Sequence, residues 1–486
     1  MIETDFLDDE KDISMTTEKS LKKSAAESTY LTVVLLAAGK GTRMKSPLPK
    51  VLHPVAGRPM IEKAIAAAKN AGAKEVRVVV GHGHALVKSV VEPLGCLTFL
   101  QTEQLGTAHA VRCAQLDGLD GEVVIMNGDH PLIEAADIAS FVKDFRETKS
   151  DLSVVTAKVK KPGEFGRIVR HLGELKAIVE AKDASADTLK LDEINTGIYI
   201  ARAAVLSHLL PLIQNHNAKK EFYITDMISL GLEEGYKVTA LRSTPKVAVG
   251  VNTQEELAKA TRLVFLRKAK QLMENGVLML NPRETYIEES VEVAAGSVIY
   301  PNVFLRGQTK IGAFSVIESN SFISDSVVGN SVQIKAGSYI EHSQILDKAS
   351  VGPYARLRPQ TVIGEEAHIG NFVELKKVNF GKKSKAGHLT YLGDAEIGEE
   401  VNIGCGTITC NYAVDKQKYK TKIGNRVFVG SDTQFVAPIE VGDDAIIGSG
   451  STITKPVPAK ALAVARGRQT NIENYAVKKD STEKSE

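Results

Sequence analysis

The feature that most constrains the fold of this chain is a six-residue period in its second half. From Ile423 to Ile453, an apolar side chain recurs at every sixth position without a slip. A hexapeptide period is typical of a parallel β-helix, in which three hexads build one coil of about 18 residues. The pattern predicts a left-handed parallel β-helix over residues 276–470.

Two details of this repeat bear on its structure. Apolar-Gly pairs mark it from Ile311 onward, and we expect glycine or another small residue to allow the turn at each corner. The period breaks at residues 411–422 (NYAVDKQKYKTK), which we expect to project from the wall as a loop. Loops that interrupt a solenoid commonly carry function.

The first half of the chain alternates short apolar runs with helical patterns. Runs such as Val76–Val80 and Val123–Met126 have the near-continuous apolar character of buried parallel strands. Helical stretches such as Met60–Asn70 lie between them. Strands that alternate with helices predict a parallel sheet covered on both faces, with ligands at the carboxyl ends of the strands. We therefore expect an α/β protein whose N-terminal domain, residues 29–253, is Rossmann-like with a mostly parallel sheet.

The remaining segments have their own patterns. Residues 1–28 hold eight acidic and four basic side chains without an apolar period, which predicts a disordered acidic tail. Residues 254–275 show rough helical spacing and predict a linker helix, and residues 471–486 predict a flexible tail.

Charge and composition exclude several classes of protein. The formal charge of +2 offers little attraction for nucleic acid. No apolar stretch approaches the ~20 residues of a membrane span. The four cysteines show no zinc-binding spacing. These features predict a cytoplasmic protein without nucleic-acid or membrane partners.

A glycine-containing loop follows the first apolar run. Gly39 and Gly41 allow backbone N–H groups to approach phosphate oxygens. Four cations lie in the same segment: Lys40, Arg43, Lys45 and Lys50. Cations at such a position neutralise charge that develops on transferring phosphorus. By spacing alone, the segment is equally consistent with a glycine turn that presents a solvated basic face.

A second candidate is the turn formed by Asn127, Gly128 and Asp129, which follows the apolar run Val123–Met126. A carboxylate at the carboxyl end of a parallel strand is well placed to hold Mg²⁺ together with substrate phosphates. The alternative is a turn-forming aspartate with no role in binding.

The predicted β-helix carries a histidine, His388, within the segment KAGHLTYLGD. Histidine is a natural general base near neutral pH. The basic residues of this region form either a solvated wall or a pocket for phosphates; they are Arg358, Lys376, Lys377, Lys382, Lys383 and Lys385. Neither Cys405 nor Cys410 has a histidine beside it in the sequence, which argues against a cysteine nucleophile.

Several motifs together resemble those of the sugar-1-phosphate nucleotidyltransferases. They are LAAGKGTRM at residues 36–44, PKVL at 49–52, QLGTAHA at 104–110 and the Asn-Gly-Asp turn. Joined to a hexapeptide β-helix, they resemble the bacterial bifunctional N-acetylglucosamine-1-phosphate uridyltransferases/glucosamine-1-phosphate acetyltransferases. The resemblance extends over residues 31–468 and includes EINTGIYI, EFYITD, KAGHLTYLGD and GTITCNY in family order.

For the N-terminal domain, the resemblance implies uridylyl transfer from UTP to N-acetylglucosamine 1-phosphate with Mg²⁺. Arg43 and Lys50 are then catalytic contacts to phosphates, and Asp129 and Asn252 hold the metal. The residues expected to bind UTP or UDP-N-acetylglucosamine are Leu36, Ala37, Ala38, Gly39, Lys50, Gln101, Gly106, Thr107, Asn127, Gly128, Asp129, Gly166, Glu180, Asn195 and Asn252. In this set, the uracil is read by Gln101, Gly106 and Thr107, and the sugar is bound by Gly166, Glu180 and Asn195. Asn127 departs from the family, which usually has an aromatic residue there.

For the β-helix, the resemblance implies acetyl transfer from acetyl-CoA to the amine of glucosamine 1-phosphate. His388 is then the general base, and Glu374 is a candidate to orient its imidazole. The residues expected to bind glucosamine 1-phosphate are Arg358, Lys376, Tyr391 and Asn402. Those expected at the acetyl-CoA site are Cys405, where relatives commonly have alanine, and Asn411, Tyr412, Ser431, Ser449 and Arg466.

Taken as a whole, the resemblance implies a bifunctional, homotrimeric enzyme of UDP-N-acetylglucosamine biosynthesis that supplies peptidoglycan and lipopolysaccharide precursors. Two alternatives are a nucleotidyltransferase whose β-helix only assembles or regulates, and a non-catalytic scaffold. The presence of His388, Asn411 and Arg466 argues against the first alternative. The joint presence of Arg43, Lys50, Asp129 and Asn252 argues against the second.

Overall fold

The computed structural model describes residues 30–217, 219–473 and 475. The chain forms two compact units that divide between Val264 and Phe265. The predicted acidic tail at residues 1–28 lies outside the described residues, as does most of the predicted C-terminal tail. Within the described part of the chain, no helix combines the length and the apolar character that crossing a bilayer requires.

A nine-stranded sheet forms the centre of the first unit. Its strands are β1 Leu31–Ala37, β2 Glu75–Val80, β3 Leu97–Leu100, β4 Glu122–Asn127, β5 Leu152–Lys158, β6 Arg167–His171, β7 Glu174–Val179, β8 Glu193–Arg202 and β9 Val238–Ser243. Their order across the sheet is β9-β5-β8-β4-β1-β2-β3, with β6 paired to β8 and to β7. Strand β1 is parallel to both β2 and β4, whereas β8 runs antiparallel between β4 and β5. The prediction of a mostly parallel sheet is confirmed.

Helices cover both faces of this sheet. They are α1 Met60–Asn70, α2 His84–Val91, α3 Thr107–Cys113, α4 Ala135–Glu147, α5 Ala203–Leu209 and α6 Asp226–Glu233. Val33 and Leu35 of β1 share an apolar core with α1 and α4, whereas Val34 shares a second core with α3, α5 and α6. Successive side chains of a strand point to opposite faces, so both faces are buried. This explains the near-continuous apolar runs.

Short elements complete the first unit. The 3₁₀ helices are Thr42–Met44, Lys50–Leu52, Glu92–Leu94, Thr188–Lys190, Leu210–Leu212 and Pro245–Ala248, and Pro54–Val55 pairs with Arg58–Pro59. A longer helix, α7 Gln254–Glu274, contains the division between the two units. It begins with a capping box, in which Glu256 N donates to Thr253 Oγ1 at 3.2 Å and Glu256 Oε2 accepts from Thr253 N at 3.1 Å.

The second unit is a parallel β-helix, as predicted. Strands on successive coils pair in parallel, and their residues lie 17 or 18 positions apart, as Tyr339 with Arg356 and Arg356 with Glu374 do. The inward-facing residues form one continuous apolar core that runs from Ala269 to Val457. The expected 18-residue coil therefore describes part of the repeat, and other coils are one residue shorter.

Three walls of short strands surround that core. The first wall is an eleven-stranded sheet: Leu278–Met279, Val298–Ile299, Val316–Ile317, Gln333–Ile334, Ser350–Val351, His368–Asn371, Lys385–His388, Asn402–Ile403, Phe428–Val429, Ile446–Ile447 and Leu462–Ala463. The second wall holds Tyr286–Ile287, Phe304–Arg306, Phe322–Ser324, Tyr339–Glu341, Arg356–Leu357, Ile408–Cys410, Gln434–Val436 and Thr452–Ile453. The third holds Glu292–Val293, Lys310–Ile311, Val327–Val328, Ser343–Ile345, Thr361–Ile363, Thr421–Ile423 and Ile439–Val441. Glu374–Phe380 and Tyr391–Ile397 continue from the second wall into the third. A 3₁₀ helix, Pro282–Glu284, lies before the second wall begins.

Glycine has a different role in the coils from the one expected. Most corners are turned by larger residues with positive φ, such as Lys348 at 60° and Glu366 at 57°. The glycines of the apolar-Gly pairs instead allow close approach between coils. A Cβ added at Gly370 or Gly381 would overlap the carbonyl oxygen of the glycine on the next coil. The expectation that small residues supply the corner conformation is therefore wrong for most coils.

The break in the period is an inserted loop. Ala395 pairs with Thr421, 26 positions further on, where most other coils need 17 or 18. Within the loop, Tyr412 and Lys418 form an isolated antiparallel bridge. The loop therefore leaves the second wall after Cys410 and returns to the third wall at Thr421.

Candidate active sites

Lys50, Asp129 and Asn252 converge in the first unit. Lys50 Nζ donates to Asp129 Oδ2 and, at 3.1 Å, to Asn252 Oδ1. The lysine and aspartate side chains are only 16% and 12% exposed. The fold thus unites residues that lie 79 and 202 positions apart in the chain. These are three of the residues for which the family resemblance implies phosphate and metal contacts.

Backbone hydrogen bonds hold this group in place. Asp129 follows strand β4, and its carbonyl accepts from Val251 N at 3.0 Å, which brings Asn252 beside it. Asn252 N donates to Glu256 Oε2 at 2.7 Å, within the capping box of α7. The same carboxylate therefore caps the helix and holds the backbone of Asn252.

The donor atoms fit Mg²⁺. Among the described residues, Asp129 Oδ1 is buried and has no hydrogen-bond partner. The neighbouring His130 Nε2 lies 3.6 Å away, and burial lowers the pKa of His130, so that this ring is neutral near pH 7. A carboxylate and an amide oxygen are ligands that Mg²⁺ takes together with substrate phosphates and water. The described residues form no cluster of three or more His, Cys, Asp or Glu that could cage a metal without substrate.

The other cations of the glycine loop lie apart from this group. Lys40, Arg43 and Lys45 are exposed. The Arg43 side chain is 59% exposed, and its Nη1 lies 3.4 Å from Glu164 Oε2. The structure therefore distinguishes one largely buried lysine side chain, that of Lys50, from three cations that face solvent.

The nucleotide loop begins where β1 ends. Leu36 O accepts from Gly128 N at 2.9 Å, which places the Asn-Gly-Asp turn beside the strand. Ala37 closes the strand, and Ala38 O accepts from Gln104 Nε2 at 2.7 Å. A Cβ at Gly39 would meet nothing within 4 Å, so a phosphate has room to approach its backbone.

The predicted base-reading residues lie in one turn, in which Gln101 is buried, Gly106 is half-buried and Thr107 is exposed. Gln101 is only 4% exposed, and its Nε2 donates to Gly106 O at 3.2 Å. A Cβ at Gly106, whose φ is 115°, would lie 2.6 Å from Phe222 O, so only glycine fits there. Thr107 Oγ1 accepts from Ile224 N at 3.0 Å. The turn is thus held against residues 222–224 of the EFYITD motif.

The predicted sugar-binding residues also meet. The Cβ position of Gly166 lies 3.6 Å from both Glu180 Oε1 and Asn195 Cβ. Asn195 Nδ2 donates to the buried Tyr199 hydroxyl at 2.7 Å. Asn127 Nδ2 lies 2.8 Å from the Cβ position of Gly197, two residues beyond Asn195. Asn127, the departure from the family, therefore lies between the nucleotide turn and the sugar motif.

An acidic group around Glu180 was not predicted. Burial raises the pKa of Glu180, and the charges of Asp183 and Asp226 raise it further, whereas Lys219 lowers it. Burial and Asp183 likewise raise the pKa of Asp226. Asp226 belongs to the EFYITD motif, but an aspartate at this position is equally well explained by helix capping from sequence alone. The structure adds Asp226 and Asp183 to the surroundings of the proposed sugar contact.

Three cations meet on the wall of the β-helix. Lys376 lies against Lys418 from the inserted loop, with Arg358 nearby, and these positive charges lower the pKa of Lys376. Arg358 Nη1 also donates to Glu374 Oε1 at 2.9 Å. Lys418 was not singled out by the sequence, because its distance along the chain from Lys376 gives no hint of their contact.

Tyr391 and Asn411 meet above a glycine on the same wall. The Cβ position of Gly393 lies 2.5 Å from the Tyr391 hydroxyl and 2.7 Å from Asn411 Nδ2. Asn411 is buried, and its Nδ2 donates to Asp394 Oδ2 at 2.5 Å. Only glycine leaves room for these two polar groups to approach one another.

His388 is exposed at the end of its strand, beside Asn371 of the preceding coil. The Glu374 carboxylate, which was expected to orient the imidazole, has Arg358 as its partner instead. That expectation is therefore not supported by the contacts of the described residues.

Four of the six predicted acetyl-CoA residues lie along one corner of successive coils: Cys405, Ser431, Ser449 and Arg466. Cys405 O accepts from Asp432 N at 2.6 Å, and Ser431 O accepts from Gly450 N at 2.8 Å. Arg466 Nη1 then donates to Ser449 O at 2.8 Å. One coil before Cys405, Leu389 O accepts from Gly406 N at 3.1 Å. The corner column, which we define as the row from Cys405 through Ser431 and Ser449 to Arg466, therefore begins next to His388.

Two predicted residues differ from the others in wall or in exposure. Asn402 is on the first wall, paired with Lys385 and Phe428, whereas Tyr391 is on the second wall. Tyr412 is 62% exposed on the inserted loop. Each nevertheless pairs through its backbone with a basic residue of this region, Asn402 with Lys385 and Tyr412 with Lys418.

Comparison with protein families covers both units. The MobA-like NTP transferase domain matches residues 33–220. The GMPPB C-terminal domain matches residues 282–379, and six bacterial transferase hexapeptide repeats match residues 420–455.

Whole-chain relatives carry both units as well. A protein of Bdellovibrio bacteriovorus described as bifunctional protein GlmU is 73% identical over 94% of this chain and 100% of its own length. Proteins with the same description from Trichlorobacter lovleyi and Pelobacter propionicus are 46% and 45% identical, each over 92% of this chain and 98% of their own length.

Proposed function

The chain belongs to the family of bifunctional GlmU proteins, and from that premise we propose how its residues divide the chemistry between two sites. It is a bifunctional transferase of UDP-N-acetylglucosamine biosynthesis. One activity transfers the acetyl group of acetyl-CoA to glucosamine 1-phosphate. The other transfers the uridylyl group of UTP to N-acetylglucosamine 1-phosphate and releases pyrophosphate. The product supplies peptidoglycan and lipopolysaccharide precursors.

We assign uridylyl transfer to the group around Lys50. A phosphate oxygen of N-acetylglucosamine 1-phosphate attacks the α-phosphorus of UTP, and the bond to pyrophosphate breaks on the opposite side. The Lys50 ammonium is held by Asp129 and Asn252, so it is already positioned to stabilise charge on the phosphates. Arg43, which is exposed, would add a phosphate contact from the solvent side.

Asp129 and Asn252 are the proposed magnesium ligands. Their support is the unpartnered Oδ1 of Asp129 and the amide oxygen beside it. Bound Mg²⁺ would neutralise phosphate charge and orient the triphosphate.

The base and the sugar are placed by separate turns of the first unit. The turn at Gln101, Gly106 and Thr107 offers backbone and amide groups that suit the imide edge of uracil. Glu180 and Asn195 lie beside Gly166 and are suited to bind hydroxyl and acetamido groups. A carboxylate accepts hydrogen bonds from sugar hydroxyls, which requires that Glu180 be ionised.

We assign acetyl transfer to the wall that carries Lys376. Arg358, Lys376 and Lys418 form a cationic group that suits the phosphate of glucosamine 1-phosphate. His388 would take a proton from the amine as its nitrogen forms a bond to the thioester carbon. The carbon–sulfur bond then breaks, and the thiolate of coenzyme A leaves and takes up a proton.

The corner column from Cys405 to Arg466 is the proposed acetyl-CoA site. Main-chain groups near Cys405 would contact the thioester, so a cysteine in place of alanine does not remove the contact. Arg466, beside Ser449, would meet the nucleotide phosphate.

We propose that the chain assembles as a homotrimer in the cytoplasm. The corner beside His388 carries three exposed apolar side chains: Tyr354 and Phe372, each 57% exposed, and Leu389, 59% exposed. The Tyr354 and Phe372 rings stack with centroids 5.7 Å apart. A contiguous exposed apolar surface is typical of a protein interface, and a second copy would cover it. Light scattering of the purified chain tests this assembly.

The assignment of the two activities to two sites rests on one observation. Each unit has its own cationic side chains suited to phosphate, Lys50 in the first unit and the group around Lys376 in the second. The test is to incubate the purified chain with glucosamine 1-phosphate, acetyl-CoA, UTP and Mg²⁺ while free coenzyme A and pyrophosphate are followed separately. Omission of UTP should stop pyrophosphate release and leave coenzyme A release intact. With N-acetylglucosamine 1-phosphate supplied, omission of acetyl-CoA should leave pyrophosphate release intact. Release of only one product under all conditions would contradict two independent sites.

A further inference from the structure

We propose that His109 is a positioning residue for base recognition: it fixes the side-chain amide of Gln101 so that the carbonyl oxygen of that amide meets the base. The inference rests on the proposed contact between Gln101 and uracil. It adds a residue on α3 that has no place in the functions assigned above. It also states which half of the Gln101 amide recognises the base.

The first step is the orientation of the amide. Gln101 Nε2 lies 3.2 Å from Gly106 O and 3.0 Å from His109 Nδ1. A backbone carbonyl accepts hydrogen bonds and cannot donate them, so the NH₂ group of Gln101 must face Gly106. The opposite orientation would place two oxygens against each other in a buried position.

The second step is the protonation of the imidazole. The NH₂ group of Gln101 has two hydrogens, and one is directed to Gly106 O. The second is available to His109 Nδ1, which must then accept it and carry no hydrogen. The ring hydrogen of the neutral imidazole is therefore on Nε2, which lies 4.0 Å from Cys113 Sγ one turn further along α3.

The third step concerns the group that remains. With both hydrogens of the Gln101 amide engaged, its Oε1 is the polar atom left to meet a base. Uracil presents an N3–H donor between two carbonyl oxygens, and an acceptor complements that hydrogen. Cytosine has no hydrogen on N3, so the same oxygen meets it acceptor to acceptor. His109 therefore contributes to the selection of UTP over CTP through Gln101.

The surroundings of His109 hold it for this role. Gly106 immediately precedes α3, and its carbonyl also accepts from Ala110 N at 3.2 Å. Phe222 O accepts from Ala108 N at 2.9 Å. On the other side of the contact, Gln101 N donates to Val80 O at 2.8 Å, so backbone hydrogen bonds anchor both Gln101 and the first turn of α3.

The test uses two nearly isosteric variants, His109→Asn and His109→Leu. Asparagine has an oxygen close to the position of Nδ1 and can accept from Gln101, whereas leucine cannot. The ratio of kcat/KM for UTP to that for CTP is measured for each. Loss of one neutral hydrogen bond predicts a fall of about 2- to 10-fold in that ratio for His109→Leu. His109→Asn should recover most of the ratio.

Two internal controls accompany these variants. The ratio for 5-methyl-UTP, which keeps the N3 hydrogen, relative to UTP should not change. Acetyl transfer should also be unaffected, which shows that the chain is folded. An unchanged UTP-to-CTP ratio in His109→Leu, or equal losses in the two variants, overturns the inference.

A third variant separates this inference from the proposed function. Gln101→Leu should lower the same ratio at least as far as His109→Leu does. If Gln101→Leu leaves the ratio intact, the assignment of this turn to uracil is wrong. If Gln101→Leu lowers it and His109→Leu does not, only the role of His109 is wrong.

Discussion

Lys418, on the loop inserted after Cys410, lies against Lys376 on the wall of the β-helix. Two ammonium groups of like charge repel each other, and this repulsion lowers the pKa of Lys376. An arrangement of this kind becomes favourable when an anion binds between the charges. The proposed ligand, the phosphate of glucosamine 1-phosphate, is such an anion.

Replacement of the loop cation should weaken substrate binding at this site alone. Lys418→Gln removes one charged contact, which predicts a rise of about 10-fold in the KM for glucosamine 1-phosphate. Lys416→Gln, on the same loop and also exposed, is the matched control and should leave the KM unchanged. Steady-state kinetics of coenzyme A release measures both. An equal effect of the two changes would indicate a role of the loop's overall charge.

The same contact predicts a pH dependence. Lys418 and Arg358 lower the pKa of Lys376, and Asp394 opposes them. Because a lysine loses its charge as pH rises through its pKa, binding of glucosamine 1-phosphate should weaken on the alkaline side earlier than for an ordinary lysine. In Lys418→Gln, the pKa of Lys376 rises, so this alkaline limit should move to higher pH. A KM–pH profile that does not move would remove Lys376 as the titrating group.

His388 should be required for acetyl transfer and dispensable for uridylyl transfer. Loss of a general base lowers the rate by about 100- to 10,000-fold, so His388→Asn should show that loss in coenzyme A release. His342→Asn replaces an exposed histidine at a different corner and is the control. Pyrophosphate release should be normal in both variants. Parallel loss of both activities in His388→Asn would contradict independent sites.

Asp129 should be required for uridylyl transfer and dispensable for acetyl transfer. Asp129→Asn keeps the shape of the side chain but removes the carboxylate from Lys50 and from the proposed metal position. We expect uridylyl transfer to fall by about 100-fold or more, since a metal ion contributes several kcal/mol. The Mg²⁺ concentration for half-maximal rate should rise, while acetyl transfer serves as the control. An unaltered Mg²⁺ dependence would exclude Asp129 as a ligand.

Ionised Glu180 should bind the sugar but lower the stability of the fold. Burial raises its pKa in the folded state, so ionisation near neutral pH destabilises the fold. The contribution of this carboxyl to the free energy of unfolding is greatest below the pKa that the group has in the unfolded chain. It declines as pH rises through the higher pKa of the folded state. Glu180→Gln should therefore raise the thermal midpoint at pH 7 relative to the unmodified chain.

The stability gain in Glu180→Gln should disappear in acid, where the carboxyl of the unmodified chain is itself protonated. Its uridylyl transfer should fall by about 10- to 100-fold, because a charged acceptor for the sugar is lost. Calorimetry at two pH values and initial rates measure the two effects. A stability difference that does not depend on pH would show that the ionisation of Glu180 is not its cause.

Much of the architecture was predictable because it arises from local periodicity. The six-residue period before Ile453 required a β-helix, and apolar runs such as Val76–Val80 required buried strands. The expected role of glycine at the corners was wrong. The period shows that glycines such as Gly370 and Gly381 recur, but it does not show that they face the backbone of the next coil. The pairing of Glu374 with Arg358 rather than His388 was likewise invisible, because it depends on side chains of adjacent coils.

The order of apolar and polar residues alone established two folding units and the motifs each carries, since strand and coil periods depend on neighbours within a few positions. Which charges meet was decided only by tertiary structure. Lys50 reaches Asp129 and Asn252, and Lys418 reaches Lys376, across separations along the chain that no local pattern encodes. Burial and Coulomb interactions act through space, so the chemistry of both sites depends on distances that exist only after the chain has folded.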